Sequence, residues 1–129
     1  KAVSKALPHL AGKMTGNAVR VPTPDVSLAI LNLSLNKSVT RDETNELLKD
    51  AALKGDLVEQ IHYSMSNELV STDLVGNPSA SIVDAPATIV SKDGKNLVLY
   101  VWYDNEYGYS RQVIRFSKYI AKVIRLTYY

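Results

Sequence analysis

The chain has 129 residues, of which 46% are hydrophobic and 22% charged, a composition typical of one globular domain large enough to bury a core without disulfides or metal. It has no cysteine, which excludes a disulfide, a thiolate metal ligand and a cysteine nucleophile within this sequence. No apolar stretch approaches the roughly 20 residues that span a bilayer, and no signal peptide is visible. We therefore expect a cytoplasmic protein with no membrane partner.

The formal net charge of +2 is unevenly distributed. Residues 107–129 contain five basic residues and no acidic one, so the first 106 residues carry −3. A basic end of this kind is typical of a chain that meets nucleic acid or an acidic partner surface.

The N-terminal third predicts a helix followed by strands. Residues 1–10 have the apolar spacing of a helix that ends near Pro8, and they lack an initiator methionine, which together indicate a piece of a longer protein. The next apolar stretch, residues 17–36, predicts two strand segments separated by a bend at Pro22 and Pro24, because neither proline can donate a ladder hydrogen bond.

The clearest helix follows, between Thr40 and Gly55. Thr40 and Glu43 form a capping-box pattern, and Gly55 lies where a helix-ending glycine is expected. Its predicted core stripe consists of Leu47, Leu48, Ala51 and Ala52.

Short strands are predicted between residues 61 and 90, then a hairpin with a type I′ turn at Asp93-Gly94. The return strand is apolar on both faces and should lie centrally in a sheet covered on both sides. A last helix is predicted from about Tyr107 to Arg125. This order predicts an α+β fold with a mixed, largely antiparallel sheet and flanking helices.

Most standard catalytic patterns are missing from the sequence. His9 and His62 belong to no metal-ligand spacing, so we predict no metal site. There is no glycine-rich phosphate loop and no G-x-G-x-x-G dinucleotide fingerprint.

The last helix has a basic face and an apolar stripe, both at helical spacing. We favour a solvated face, or one docked on an acidic partner domain, over a nucleic-acid face, since no nucleic-acid-binding motif accompanies it. The basic face consists of Arg111, Arg115, Lys118, Lys122 and Arg125, and the stripe of Tyr109, Val113, Phe116, Ile120 and Val123.

Two places could bind a ligand. Arg20, beside the strand break, could offer its guanidinium to a phosphate or carboxylate, although a structural ion pair is at least as favoured. At the strand-to-helix junction, the Asn105 amide could pair with another amide, and flat rings follow it. The alternative is an ordinary helix start, capped by Asp104 or Asn105, with Glu106 favouring the helix dipole and Tyr103, Tyr107 and Tyr109 in the core. From these residues alone, the alternative is slightly favoured.

Two motifs together resemble one enzyme family. "GKMTGNAVRVPTPDVS" resembles the segment that follows the active-site histidine of glyceraldehyde-3-phosphate dehydrogenases, and "WYDNEYGYS" resembles their nicotinamide-contacting segment. "ELVSTDLVGNPSASIVDAPATI" fits the stretch between them. The resemblance implies that residues 1–129 are the C-terminal, catalytic-domain portion, with the last helix (about 107–125) packing on an NAD-binding domain outside this sequence.

The resemblance also implies roles for individual residues. Arg20 matches the arginine that holds substrate or inorganic phosphate, Asn105 the asparagine that bonds the nicotinamide carboxamide, and Tyr109 the tyrosine beside that ring. Glu106 and Tyr103 match supporting residues. The implied cofactor is NAD or NADP. The implied partners are glyceraldehyde 3-phosphate, inorganic phosphate, the NAD-binding domain of the same polypeptide and further copies in a homotetramer.

The departures from the family pattern limit this interpretation. The family's cysteine nucleophile and histidine base are absent, so we expect no catalytic residue in this sequence and no activity from the isolated chain. The tail "KVIRLTYY" also differs from the usual ending. Two alternatives stay open: a relative that acts on another phosphorylated aldehyde, such as erythrose 4-phosphate, and a non-catalytic interaction module that binds RNA through the basic helix.

Overall fold

The computed structural model describes residues 2–123. Within them, helices flank a five-stranded sheet, and three single 3-10 turns connect the larger elements. The helices are α1 (Ala2–Ala6), α2 (Arg41–Leu53) and α3 (Tyr107–Ile120), and the strands are β1 (Ser27–Ser34), β2 (Ile61–Ser64), β3 (Ser81–Asp84), β4 (Ile89–Val90) and β5 (Asn96–Tyr103). The 3-10 turns span Pro8–Leu10, Ser71–Leu74 and Ala85–Ala87.

The sheet has the order β1-β5-β3-β2, with β4 also pairing with β5. Strand β5 is antiparallel to β1, β3 and β4, and its pairing with β1 runs from Ser27 opposite Tyr103 to Ser34 opposite Asn96. Strands β2 and β3 are parallel. The predicted α+β fold with a mixed, largely antiparallel sheet is therefore confirmed, and β5 lies at its centre as predicted.

The core lies where β3 and β5 meet the loop that precedes β3. Ile82 is fully buried there and packs with Val26 and Leu74. Trp102 of β5 packs against this cluster, and its indole N–H donates a hydrogen bond of 3.1 Å to the Asp84 carboxylate. Since Trp102 is the penultimate residue of β5, the core fixes the strand end that leads into α3.

The strand predicted before Pro22 is wrong. Residues 14–23 have no regular secondary structure, and residues 11–22 are exposed. An isolated segment gains no ladder hydrogen bonds, and no described strand pairs with this one, so its strand propensity alone does not form a strand. The predicted bend is present at Pro24 and Asp25, after which β1 begins.

Helix α2 confirms its predicted ends but not all of its predicted core face. The capping box is formed, with the Thr40 N–H donating to the Glu43 carboxylate at 2.8 Å and the Glu43 N–H to the Thr40 hydroxyl at 3.2 Å. Gly55 has a φ of +80°, as expected just after a helix. Leu47, however, is 71% exposed. The most buried positions are Thr44 and Ala52, so the inward stripe advances four residues at a time and leaves Leu47 at its margin.

The predicted hairpin between β4 and β5 is confirmed, but its turn type is wrong. A type I′ turn needs positive φ at both central residues, whereas only Gly94 in this loop has one, at +72°. The Gly94 N–H donates instead to the Ser91 carbonyl at 2.9 Å. The Asp93 carboxylate accepts the Lys95 N–H and the Ser91 hydroxyl, which stabilises Asp93 in a turn that needs no positive φ there.

Helix α3 begins at Tyr107, as predicted, but ends at Ile120. Residues 121 and 122 form a turn in which Lys122 has a φ of +53°, so the predicted continuation through Val123 is wrong. Arg125, the last residue of the predicted helix, lies outside the described residues. No helix within residues 2–123 is long and apolar enough to cross a membrane.

Candidate functional site

The link between β5 and α3 is built around a buried carboxylate, that of Asp104, which is only 2% exposed. One carboxylate oxygen accepts the backbone N–H groups of Glu106 at 2.9 Å and Tyr107 at 2.6 Å, and so caps the start of α3. The other oxygen accepts the Gly76 N–H at 2.8 Å. Asp104 therefore joins the end of β5, the first turn of α3 and the loop before β3.

These donors also set the protonation state of Asp104. Burial by itself would raise the pKa of the carboxyl, because a charge is costly away from water. The backbone N–H groups of Gly76, Tyr107, Glu106 and Gly108 together outweigh burial and hold the pKa of Asp104 below its ordinary value of 3.8. The carboxylate is therefore charged at neutral pH and acts as an acceptor only.

An open cavity of about 280 Å³ lies beside this link. Three residues predicted from the sequence, Tyr103, Asn105 and Tyr109, lie together in its wall. The full lining consists of Ala80, Tyr103, Asp104, Asn105, Gly108, Tyr109 and Gln112.

Asn105 differs from its neighbour Asp104 in that its side chain has no hydrogen-bond partner within residues 2–123. It is exposed, and its side-chain amide makes no hydrogen bond to any described residue. The alternative of an ordinary helix start is thus correct in one respect, because Asp104 caps the helix. It is wrong in placing the three tyrosine rings in the core. Tyr103, Tyr107 and Tyr109 are 38%, 46% and 69% exposed, so none of them belongs to the core. The junction presents an unpaired amide and accessible rings on a rigid base.

The other two predicted site residues do not line this cavity. Glu106 is exposed and contributes its backbone N–H to the Asp104 carboxylate, while its side chain makes no hydrogen bond within the described residues. Arg20 lies in the exposed segment 14–23, and its guanidinium forms no ion pair or hydrogen bond with residues 2–123. The structural ion pair considered for Arg20 is therefore not formed within the described residues.

A comparison with protein-family models identifies the chain. The model described as "Glyceraldehyde 3-phosphate dehydrogenase, C-terminal domain" matches residues 1–105. The chain belongs to this family. The resemblance seen in the two sequence motifs is thereby confirmed, and the match ends at Asn105.

Curated relatives agree with this assignment. The chain is 57% identical over 122 residues to a glyceraldehyde-3-phosphate dehydrogenase-like protein of Pseudomonas aeruginosa, covering 95% of the chain and 26% of the relative. It is 49% identical over 122 residues to glyceraldehyde-3-phosphate dehydrogenase 1 of Bacillus subtilis and 46% identical over 122 to glyceraldehyde-3-phosphate dehydrogenase 2 of Saccharomyces cerevisiae, covering 95% of the chain and 36% of each relative. The chain thus spans between about a quarter and about a third of the length of these relatives.

Sequence reasoning missed three cavity residues of this family member, Ala80, Gly108 and Gln112. Gly108 is buried, and a Cβ at that position would lie 3.0 Å from the Ser79 carbonyl oxygen, so the loop before β3 packs directly on the helix backbone. The Gln112 amide donates to the Pro78 carbonyl at 3.4 Å. A usable signal existed for Gln112, since it lies three residues after Tyr109 and therefore on the same side of the helix.

A second cavity, of about 340 Å³, lies between α3 and the chain near residues 58–59 and 78–79. Its lining includes three cations of the predicted basic face, Arg111, Arg115 and Lys118, together with Glu59. The Arg115 guanidinium donates to the Gln112 side-chain oxygen at 2.9 Å, and none of the three cations forms an ion pair within the described residues. Residues 2–123 hold no group of three or more His, Cys, Asp or Glu side chains placed to bind a metal ion.

Proposed function

We propose that this chain works as the C-terminal, catalytic-domain portion of a phosphorylating glyceraldehyde-3-phosphate dehydrogenase. Such an oxidoreductase converts glyceraldehyde 3-phosphate to 1,3-bisphosphoglycerate with NAD or NADP and inorganic phosphate, a step of glycolysis. The observation that carries the proposal is the Asn105 amide, which lines the cavity and has no hydrogen-bond partner in the described part of the chain, in a member of this family.

The cofactor part of the proposal rests on complementary chemistry. A primary amide offers two N–H donors and one acceptor, which match the carboxamide of nicotinamide group for group. Asn105 supplies these groups without first breaking a protein hydrogen bond, and the adjoining Tyr109 offers a ring face to a planar ligand. Tyr103 supports the same wall, and Glu106 supports the helix start. When bound, the cofactor accepts the hydride, and the residues of this chain orient its ring.

The substrate part of the proposal rests on Arg20. Its guanidinium is exposed and has no partner among the described residues, so it is available to a substrate phosphate or to inorganic phosphate. The nucleophile must come from elsewhere, because the chain has no cysteine. In this proposal, the chain positions phosphate and nicotinamide, and another part of the same polypeptide performs the attack on the aldehyde.

The partner part of the proposal rests on apolar surface. The α3 stripe is largely exposed, with Val113 at 46%, Phe116 at 61% and Ile120 at 63%. Contiguous apolar surface of this kind usually marks an interface. In our proposal, an NAD-binding domain of the same polypeptide covers this stripe. Leu28 and Ile30, which share one face of β1, are exposed as well, at 37% and 51%, which supports a homotetramer in which another copy meets this face of the sheet. The proposed location is the cytoplasm.

Two activity measurements test the proposal. The isolated chain, mixed with NAD, inorganic phosphate and glyceraldehyde 3-phosphate, should give no rise in NADH absorbance. A hybrid in which this chain replaces the matching segment of the Bacillus subtilis enzyme should give that rise. Turnover by the pure isolated chain, or a folded hybrid without activity, would contradict the proposal. Comparing kcat/KM of the hybrid on glyceraldehyde 3-phosphate and erythrose 4-phosphate separates the two candidate substrates.

The basic face of α3 favours a second function of another class, a non-catalytic module that binds RNA. Its described cations form no ion pair within residues 2–123, so their charge is available to a polyanion. This function requires RNA binding that weakens steeply with salt and is lost when Arg111, Arg115 and Lys118 are all changed to Glu. The same triple variant of the hybrid should keep its activity if the two functions are separate.

A further inference from the structure

The three residues at the β5–α3 link have very different surroundings. Asp104 is buried and bonded to three backbone N–H groups, whereas Asn105 and Glu106 are exposed. The side chain of Asn105 has no protein partner among the described residues. Its placement therefore depends on the backbone to either side, and that backbone is fixed by Asp104.

The loop before β3 reinforces this dependence by making one contact with the β5–α3 link and two with α3. Gly76 donates to the Asp104 carboxylate at 2.8 Å. The Ser79 carbonyl oxygen packs on Gly108, where a Cβ would come within 3.0 Å. Pro78 accepts the Gln112 amide at 3.4 Å. Loop and helix start thus form one unit, and the Asp104 carboxylate is its most buried polar member.

We propose that Asp104 is a positioning residue for cofactor binding, which holds the Asn105 amide where it can meet the nicotinamide carboxamide. This inference rests on the proposed function of Asn105. Asp104 acts through the backbone: its carboxylate bonds the N–H groups that follow Asn105 and ties them to Gly76. Because the carboxylate is buried, it contributes to the cavity wall by fixing its shape and not by binding the cofactor.

The first test is the change Asp104→Asn in the intact enzyme that carries this segment. The asparagine keeps the size of the side chain but replaces one acceptor oxygen with an NH₂ group that faces a backbone donor. We expect the KM for NAD to rise on the order of 10-fold, because small misplacements of a binding group are costly. The KM for the aldehyde should stay within about twofold, since Arg20 lies outside this unit.

The matched control is Asp93→Asn. Asp93 also accepts a backbone N–H, that of Lys95, and its pKa is likewise lowered, but it lies in the β4–β5 turn. We expect it to leave the KM for NAD unchanged. Asn105→Ala and the double variant complete a cycle: if Asp104 acts through Asn105, the double variant should be no worse than Asn105→Ala alone. Independent, additive effects would overturn the proposal.

A second variant reaches the same unit without touching the carboxylate. Gly108→Ala places a methyl group against the Ser79 carbonyl and should push the loop from the helix by a few tenths of an ångström, raising the KM for NAD less than Asp104→Asn does. Ser117→Ala, later in the same helix, is its control. If Asp104→Asn fails to fold, an unchanged KM for NAD in Gly108→Ala overturns the proposal.

A structural readout separates this inference from the proposed function. Backbone amide exchange of Gly76 and Tyr107, with nitrogen-15 relaxation of the Asn105 side-chain amide, reports the unit directly. We expect faster exchange and a more mobile amide in Asp104→Asn. An unchanged Asn105 amide would overturn the positioning role even if Asn105→Ala raises the KM for NAD. Conversely, a normal KM for NAD in Asn105→Ala, with a mobilised amide in Asp104→Asn, would contradict the proposed function of Asn105 and show that Asp104 holds the Asn105 amide without serving cofactor binding.

Discussion

Helix α2 closes its first turn with residues of its own, whereas helix α3 begins at a carboxylate that also bonds a loop 28 residues earlier in the chain. At α2, Thr40 and Glu43 satisfy each other's backbone N–H groups at the surface. At α3, Asp104 is buried and serves donors from two segments. The Thr40–Glu43 cap bonds only groups of its own helix, and α2 is tied to the rest of the fold by a separate residue, Arg41, whose guanidinium donates to the Pro86 and Thr88 carbonyls at 2.9 and 3.0 Å. At α3, the Asp104 carboxylate both caps the helix and bonds a distant loop.

The difference between the two caps also determines which polar side chains remain available to a ligand. Both polar side chains of the α2 cap are used by the cap itself. At α3, the cap is made by Asp104 alone, so the following Asn105 needs no protein partner and presents its amide at the cavity. A long-range cap is thus a means of holding an unpaired polar group still.

The largest expected effect is on stability when the buried cap is removed. Asp104→Ala leaves the N–H groups of Gly76, Glu106 and Tyr107 without their acceptor and should lower the free energy of unfolding by about 3 kcal/mol. Urea unfolding of the chain, followed by circular dichroism, measures it. Asp42→Ala, at an exposed aspartate in the first turn of α2, is the control and should change stability little. A loss below about 1 kcal/mol for Asp104→Ala would remove the contrast between the two helix starts.

Removing the local cap should cost less. Thr40→Ala deletes one cap acceptor at an exposed helix start, where water can replace it, and should lower the free energy of unfolding by about 1 kcal/mol. The same urea titration compares the two variants directly. If Thr40→Ala lowers the free energy of unfolding as much as Asp104→Ala does, the burial and long-range hydrogen bond of Asp104 give the start of α3 no extra stability.

The smallest expected effect is a difference in acid sensitivity. Folding lowers the pKa of Asp104 below 3.8, so its contribution to stability is present above about pH 4 and is lost as the pH falls through the folded pKa. Hydrogen bonds from the Thr40 backbone N–H and hydroxyl lower the pKa of the exposed Glu43 as well. The contribution of Glu43 to stability is therefore also lost as the pH falls. This contribution should be smaller than that of Asp104, because Glu43 is exposed to water. Urea unfolding at pH 7 and pH 3 should therefore show a smaller gap between wild type and Asp104→Asn at pH 3. A gap that grows on acidification would contradict the assigned sign.

The predictions from the sequence succeeded where a feature depends on residues close together in the chain. The capping box, the Gly55 helix end and the central position of β5 depend on residues close in the chain, and all were predicted. Tyr103, Asn105 and Tyr109 line one cavity because they lie in one short stretch at the β5–α3 junction, and their binding roles stay predictions.

The failures concern features that depend on distant partners or on single dihedral angles. The segment before Pro22 has strand propensity but no partner strand among the described residues. The turn predicted at Asp93-Gly94 is instead closed from the Gly94 N–H to the Ser91 carbonyl, because Asp93 does not adopt the positive φ that type I′ requires. The link from Asp104 to Gly76 joins residues 28 positions apart, and no spacing rule indicates it. Gly108 could not be recognised as important from the sequence, because its close contact with the Ser79 carbonyl exists only in the folded chain.

The most direct test of the central claim is the KM for NAD of Asn105→Ala, measured in the intact enzyme beside Asn36→Ala. Asn36 is an exposed asparagine in the loop between β1 and α2 and controls for the loss of a surface amide. We predict that Asn105→Ala raises the KM for NAD on the order of 10-fold, whereas Asn36→Ala leaves it unchanged. Equal KM values for NAD in the two variants and the wild type would contradict this prediction.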